Sequence, residues 1–535
     1  MAGRLRDTLS RRYRNRRRLH DQHAQRPRVG RARGPPVRKL AYELRAAKSR
    51  CKPPIMVEVT STLTVARPLA VAKARVEPVA DTNTAWARLV FSYLAWATAW
   101  LLFGTLVGEY LGIKFVIPDV DHVPWLSFGR LRPVHTNAVF WGWSSLAMIG
   151  MALYVVPKTS RRKLFSFRLA YVSLALINLS VFVGSLLLMS AINNGGQEYR
   201  EYIWPVQAVF AIGVILIAYN LIRTIAARDL EEIYISNWYI MGGLLWTIAL
   251  LVIAYLPWYQ QNGISETVIQ GFYMHMGVGM WFTPIVLGLT YYTLPRLLNK
   301  PIYSYSLGVL AFWTQMVFYS MIGAHHFIFA PIPWWLQTVA IIFSVGMVVT
   351  LAAGTGNFLL TMRGSERAIG RSYSVPFILA GTLAYFLFSF QGTLEAFRSL
   401  QALWHFTNYT VAHSHLTMYG FVAFLIWGSV YGLVPRMTGH EPSAVWVGIH
   451  FWFALIGYLL YCGALMIGGS MQGLNWIAGS PFIHSVTDMM PYWLWRAIGG
   501  TLMFLSHLVF AYNVWLMRPR ESASSRGTAA QNGAS

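Results

Sequence analysis

Long apolar runs separated by short polar stretches recur along the chain from about residue 87 onward. Most reach the roughly 20 residues that a helix needs to cross a hydrocarbon core. The pattern predicts about twelve membrane-spanning helices. They begin near Ala87, Thr136, Arg168, Ile203, Ile235, Val268, Tyr305, Trp335, Ser374, Trp404, Val445 and Met489. Several run past the minimum length and are expected to tilt. Connections are short and no large soluble domain interrupts them. Residues 87–517 therefore read as one all-α polytopic membrane domain, between an extension at 1–86 and a polar tail at 518–535.

Composition agrees: 55% of residues are hydrophobic and only 12% charged, against about 25% charged in soluble domains. The net charge of +24 comes largely from an Arg-crowded stretch, residues 1–55, with almost no apolar periodicity. It reads as disordered. It is a nucleic-acid arm, a contact for anionic lipid, or an artefact of a true translation start at Met56. The last reading is favoured, and no nucleic-acid partner is expected. No cleavable signal peptide is legible. The two cysteines, Cys51 and Cys462, make neither a disulfide framework nor a zinc site. No C-x-x-C-H occurs, so a covalently attached c-type haem must belong to another chain.

Lys and Arg collect in alternate loops: Lys158, Arg161, Arg162 and Lys163; Arg223 and Arg228; Arg296 and Lys300; Arg363, Arg367 and Arg371; Arg436; and the tail. The bias predicts that both termini are cytoplasmic. The opposite side has few cations, among them Arg130, Arg132, Arg200 and Arg398.

Ionisable residues in a bilayer are costly and mark function by default. His135 opens span two, His275 lies in span six, and His325 and His326 fall in span seven. His405, His413 and His415 fall in span ten. His450 and His507 are isolated and read as structural histidines bonded to neighbours, and His405 as facing the outer interface. The others cluster without carboxylates, which suits copper, zinc or haem iron. Residues two apart on an α-helix differ by about 200°, so His413 and His415 face opposite sides and serve separate planar cofactors. Adjacent His325 and His326 differ by about 100°. With His275 they make a three-nitrogen site with an open position, which a catalytic metal needs.

This histidine set over about twelve spans resembles the catalytic subunit of the haem–copper oxidases, from Ala87 to Met517. The resemblance implies two haem b groups and one copper ion. His135 and His415 would ligate a low-spin haem b, His413 a high-spin haem, and His275, His325 and His326 the copper. Nitric oxide reductases place a glutamate, and mitochondrial-like oxidases a tyrosine, four residues after the first metal histidine; here Gly279 stands there. The cbb3-type branch puts its tyrosine six residues before the His-His pair, which is Tyr319, crosslinked in that family to the residue matching His275. "GRLRPVHTN" is similar to the family's low-spin haem site, with Arg132 on the propionates and Arg496 a second candidate. "GGQEYREYIWP" is similar to a paired-glutamate segment, so Glu198 and Glu201 are expected near the propionates and a calcium ion. Thr283, Tyr291, Tyr292 and Thr314 are expected on a proton path to Tyr319.

One departure stands out. The branch's "TFEGP" reads "SFQGT" here, leaving Gln391 with Glu395 one turn later. Either Glu395 compensates or the role is altered. The resemblance further implies oxygen reduction to water with proton uptake and pumping. Its expected partners are mono- and di-haem c-type cytochrome subunits and membrane lipid, in a bacterial inner membrane. The alternatives rank in order as a nitric oxide reductase, a haem-binding transporter or sensor, and a metal-ion transporter. The last would want midplane carboxylates, and the spans hold almost none.

Overall fold

The computed structural model describes residues 84–195, 197–255 and 263–520. The readings made of the basic extension and of the tail past residue 520 lie outside them. The described residues hold no strand. Twelve helical spans follow: α1 Thr84–Val116, α2 Phe128–Ser160, α3 Phe167–Met189, α4 Trp204–Ala226, α5 Ile235–Tyr255, α6 Ile264–Leu298, α7 Tyr305–Tyr319, α8 Trp334–Met362, α9 Val375–Glu395, α10 Asn408–Thr438, α11 Ala444–Ile477 and α12 Phe482–Leu516. Eleven are long and apolar enough to cross a membrane. Spans two and twelve start about a turn or two before the hydropathy signal, because their first turns are polar.

Neighbours in sequence pack side by side, and α12 returns to α1 and closes the bundle. Burial separates inner from outer helices. The apolar windows of α2 and α10 are 94% buried and that of α6 is 78%, against 39–50% for the other membrane-length helices. The inner three carry His135, His275 and His415.

Those three share a further device. Each widens into π-helical turns just after its histidine: Ala138–Ser144, Gly277–Phe282 and Leu416–Ala423. Such turns are rare and concentrate at functional sites. The hydroxyls of Ser145 and Thr283 bond carbonyls five residues back, Phe140 O at 3.0 Å and Val278 O at 3.1 Å.

The twelve spans form three repeats of four. The second helix of each repeat ends in Pro followed by a cation: Pro157-Lys158, Pro295-Arg296 and Pro435-Arg436. The last two helices of each are clasped by an Asn that accepts from a backbone N–H before the third helix. The clasps are Ser166 N to Asn220 Oδ1 at 3.0 Å, Ser304 N to Asn357 Oδ1 at 3.0 Å, and Ser443 N to Asn513 Oδ1 at 3.3 Å. The serines Ser166 and Ser304 also cap their own helices.

Span seven departs from expectation. Its α-helix stops at Tyr319, and the histidine pair sits in a tighter 3₁₀ turn, Gly323–Phe327. Side chains of adjacent residues there differ by about 120° rather than 100°. The cause is a close backbone approach. A Cβ on Gly323 would lie 2.6 Å from the Phe272 Cα, and one on Gly271 2.8 Å from the Gly323 carbonyl. Span ten also starts later than Trp404. A short helix Arg398–Trp404 ends there, Phe406 adopts φ +63°, and Thr407 caps α10 through Tyr409 N.

Candidate metal and haem centre

Helix α10 divides two cavities. On one side, His135 of α2 and His415 of α10 stack with ring centroids 6.3 Å apart and planes within 12°. His135 Nδ1 pairs with Gly104 O at 2.7 Å and His415 Nδ1 with Val411 O at 2.8 Å. A carbonyl at Nδ1 fixes the proton there and leaves Nε2 as the donor to a metal. Both histidines line a cavity with about 1440 Å³ of empty volume, walled also by Arg132, Arg496, Tyr199 and Met418. Two parallel imidazoles with free Nε2 atoms and a flat apolar cavity fit a planar haem.

On the other side, His413 faces a second cavity of about 1620 Å³ that also holds His275, His325, His326 and Tyr319. One ligand atom from each of the last three histidines falls within 4.8 Å of the others. His275 Nδ1 meets His326 Nε2 at 2.8 Å, and His325 Nδ1 bonds Ser344 Oγ at 2.8 Å. His275 Nε2 is buried without a hydrogen-bond partner among the described residues. Its ring stacks on Tyr319 at 4.9 Å. The opposed facing of His413 and His415 is thus observed, and the three-histidine cluster forms despite the changed helix geometry. The donor set, all nitrogen with no carboxylate among the three, fits copper.

Gly279 has a positive use. A Cβ there would run into the Tyr319 ring, so the glycine makes the space that the tyrosine of α7 fills. Thr283 stands beside the Tyr319 phenol. Tyr291 accepts from Asn357 Nδ2 at 3.4 Å. Tyr292 turns to Tyr154 and the Arg296 guanidinium. Thr314 bonds Thr350 at 2.8 Å on the α7–α8 seam.

Between Tyr291 and Tyr319 the inner helix faces carry groups that the sequence reading passed over. The hydroxyls of Tyr385, Thr355 and Thr382 and the Gln315 carbonyl oxygen are buried without a hydrogen-bond partner among the described residues. Such groups are normally satisfied by bound water.

The outer rim is built on charges. Arg132 lines both cavities and pairs with Glu198 at 2.5 Å. Glu201 is buried and accepts from Asn137 Nδ2 at 2.9 Å. Burial pushes its carboxyl up to about 7 against the opposing pull of that bond. Arg496 donates to Tyr461 Oη at 3.1 Å on the wall of the first cavity. The Glu395 carboxylate stands 3.4 Å from His413 Nδ1, while the backbone beside that ring is Gly392. His405 is partly buried and lines the second cavity.

A polytopic redox protein with one bis-histidine and one tris-histidine site is the class these features define. The family of cytochrome c and quinol oxidase polypeptide I matches residues 88–502. The cbb3-type cytochrome c oxidase subunit CcoN1 of Stutzerimonas stutzeri is 30% identical over 454 residues, covering 81% of this chain and 95% of its own. A cytochrome c oxidase subunit 1 homolog of Agrobacterium tumefaciens (strain T37) is 30% identical over 465 residues, with 82% and 86% covered. A heme–copper terminal oxidase dimer solved by cryo-EM shares the fold at TM-score 0.68 and 15% identity, over 82% of this chain and 85% of its own. A nitric oxide reductase chain of Stutzerimonas stutzeri is more distant, 23% identical over 460 residues. The chain belongs to the haem–copper oxidase subunit I family, in its cbb3-type branch. It is an oxidoreductase of the terminal-oxidase class.

Proposed function

We propose that this subunit reduces oxygen to water with electrons from cytochrome c, using two haem b groups and one copper ion. The carrying observation is the two-faced α10: His415 stacks on His135, while His413 opens onto the cavity of His275, His325 and His326. His135 and His415 hold the low-spin haem, His413 the high-spin haem, and the three clustered histidines the copper. When bound, the haem iron and copper supply the electron-transfer and oxygen chemistry.

The chain's own groups do the rest. Tyr319 supplies a proton and an electron when the O–O bond breaks, with its ring joined to His275 Nε2. Thr283 holds the phenol. Protons reach it from the Lys/Arg-rich side by way of Tyr291 and water held at Asn357, Thr355, Tyr385 and Gln315. Arg132 and Arg496 neutralise propionates, since a guanidinium matches a carboxylate. Glu198 and Glu201 offer hard oxygens suited to calcium. Glu395 orients His413 in place of the carboxylate that Gln391 lacks.

Residues 87–517 form the working domain, with both termini cytoplasmic by the cation bias. The setting is a bacterial inner membrane, where c-type cytochrome subunits, mono- and di-haem, deliver electrons and proton uptake drives pumping.

Haem and metal content of the purified complex, with oxygen and NO uptake on the same sample, tests the reading. Two haem b and one copper per subunit with fast oxygen uptake are expected. Non-haem iron with dominant NO consumption would favour the reductase. A second expectation concerns Ser344. Ser344→Ala frees His325 Nδ1 and should weaken copper binding about 10–100-fold, the usual effect of losing a partner behind a metal ligand. A copper titration of the stripped complex measures it.

A further inference from the structure

The segment between α3 and α4 carries a strained residue that has no part in the chemistry above. Tyr199 is buried and adopts φ +64°. A bulky side chain rarely takes this left-handed region. Such strain persists only where the surroundings over-determine it, and it collects at functional sites. Here the neighbours of Tyr199 are pinned on several sides. Arg200 is fully buried; it pairs with Glu266 in the first turn of α6 at 2.5 Å and donates to the Ala254 carbonyl at the end of α5. Gln197 donates to the same Glu266 oxygen at 2.6 Å. The Glu198 carbonyl accepts from Gln270 Nε2 at 3.0 Å, and the Tyr199 carbonyl from Trp141 Nε1 at 3.3 Å. Arg132 and Asn137 of α2 hold the carboxylates of Glu198 and Glu201. A buried guanidinium is tolerated only when paired, so the Arg200–Glu266 pair ties this segment to the helix that carries His275.

What the strain positions is the Tyr199 ring. Arg132, Glu198, Tyr199, Val411, Ser414 and Met418 line both cavities. Val411, Ser414 and Met418 are three and four places apart and make one stripe of α10. The others come from the outer rim, and Tyr199 supplies the one aromatic ring in this set. That ring stacks on Phe140 at 4.4 Å with planes within 12°. Its phenol stands beside Ser414, the residue between His413 and His415. Phe140 in turn meets Phe282, in the wide turn after His275, edge-on at 4.2 Å. The Tyr199 ring is therefore part of the partition between the site of His135 and His415 and the site of His413.

We propose that Tyr199 is a positioning residue for electron transfer between the two haem sites: its ring fills the partition, and the Arg200–Glu266 pair holds it there. The inference rests on the two-haem reading above. The step moves one electron. The low-spin iron goes from ferrous to ferric and the high-spin iron from ferric to ferrous, with no bond formed or broken and no proton moved. Tyr199 keeps its own oxidation state. Its task is to keep the partition packed, because a void beside a wall forfeits contacts and lets the groups on either side shift.

The test uses the purified holo-complex with carbon monoxide on the ferrous high-spin haem and the low-spin haem oxidised. A flash releases the carbon monoxide, and absorbance follows the electron as it moves to the low-spin haem. Tyr199→Leu removes the ring and should slow this transfer on the order of 10–10²-fold, the scale on which a misplacement of about 1 Å costs rate. Both haem spectra and both midpoint potentials should stay at wild-type values, which separates a changed path from a changed driving force or a collapsed site. Tyr199→Phe restores the ring and should recover wild-type transfer. Glu266→Gln loosens the pair with the ring still present and should slow transfer as Tyr199→Leu does. If Tyr199→Leu loses a haem, Tyr199→Met, a pliable filler of irregular gaps, takes its place with the same expectation. Wild-type transfer in the variant without the ring would overturn the proposal, as would slow transfer in Tyr199→Phe. Wild-type transfer in Glu266→Gln would remove the pair from it. A wild-type complex that holds one haem alone would instead sink the two-haem reading.

Discussion

Tyr319→Phe is expected to lower oxygen consumption on the order of 10²-fold or more, the scale on which a positioned proton donor contributes. The Tyr319 ring stacks on the His275 imidazole at 4.9 Å. Phenylalanine keeps the packing and removes only the oxygen. Haem and copper content should therefore stay at wild-type values, and the covalent link proposed between residues 275 and 319 should be found in peptide mass spectra of the wild type and be absent from the variant. Wild-type turnover with the metals in place would remove Tyr319 from the chemistry.

The second large effect comes from a residue that touches no metal. Gly279→Ala puts a methyl group where the Tyr319 ring lies. Overpacking a filled core costs about 1–3 kcal/mol, and here the neighbour that must yield is Tyr319, the side chain proposed to react. The expected result is a loss of turnover comparable to Tyr319→Phe, together with loss of the 275–319 link although the tyrosine is present. Gly277→Ala is the control. Its added carbon meets only Phe140, at an ordinary 3.5 Å, so activity should be close to wild type. If Gly279→Ala still formed the link and turned over normally, the close approach would be of no consequence.

Most of the span order was legible because a run of apolar residues has one physical use at that length. The histidines were legible because burying imidazoles in lipid demands a reason. What stayed hidden was local helix geometry. Counting at a uniform 3.6 residues per turn cannot see the break after Tyr319, which comes from Gly271 and Gly323 on different spans. Nor does it show wide turns in α2, α6 and α10. The row of buried polar groups without partners among the described residues was missed for a different reason. Tyr385, Thr355 and Gln315 each look like packing within their own helix and acquire meaning only across helices. The same holds for Glu395, whose reach to His413 crosses from α9 to α10.

The wide turns after His135, His275 and His415 have a mechanical consequence. Each holds about one residue more than an α-turn, which puts the helix beyond it out of phase by about 100°. The half that ends in Pro and a cation can therefore keep its own packing face while the other half is swivelled to aim an imidazole. Ligand direction and bundle packing are set by separate stretches of one helix. Deleting a single residue inside such a stretch would restore a regular helix and swing the histidine away from its partner, though every contact at the far end survived.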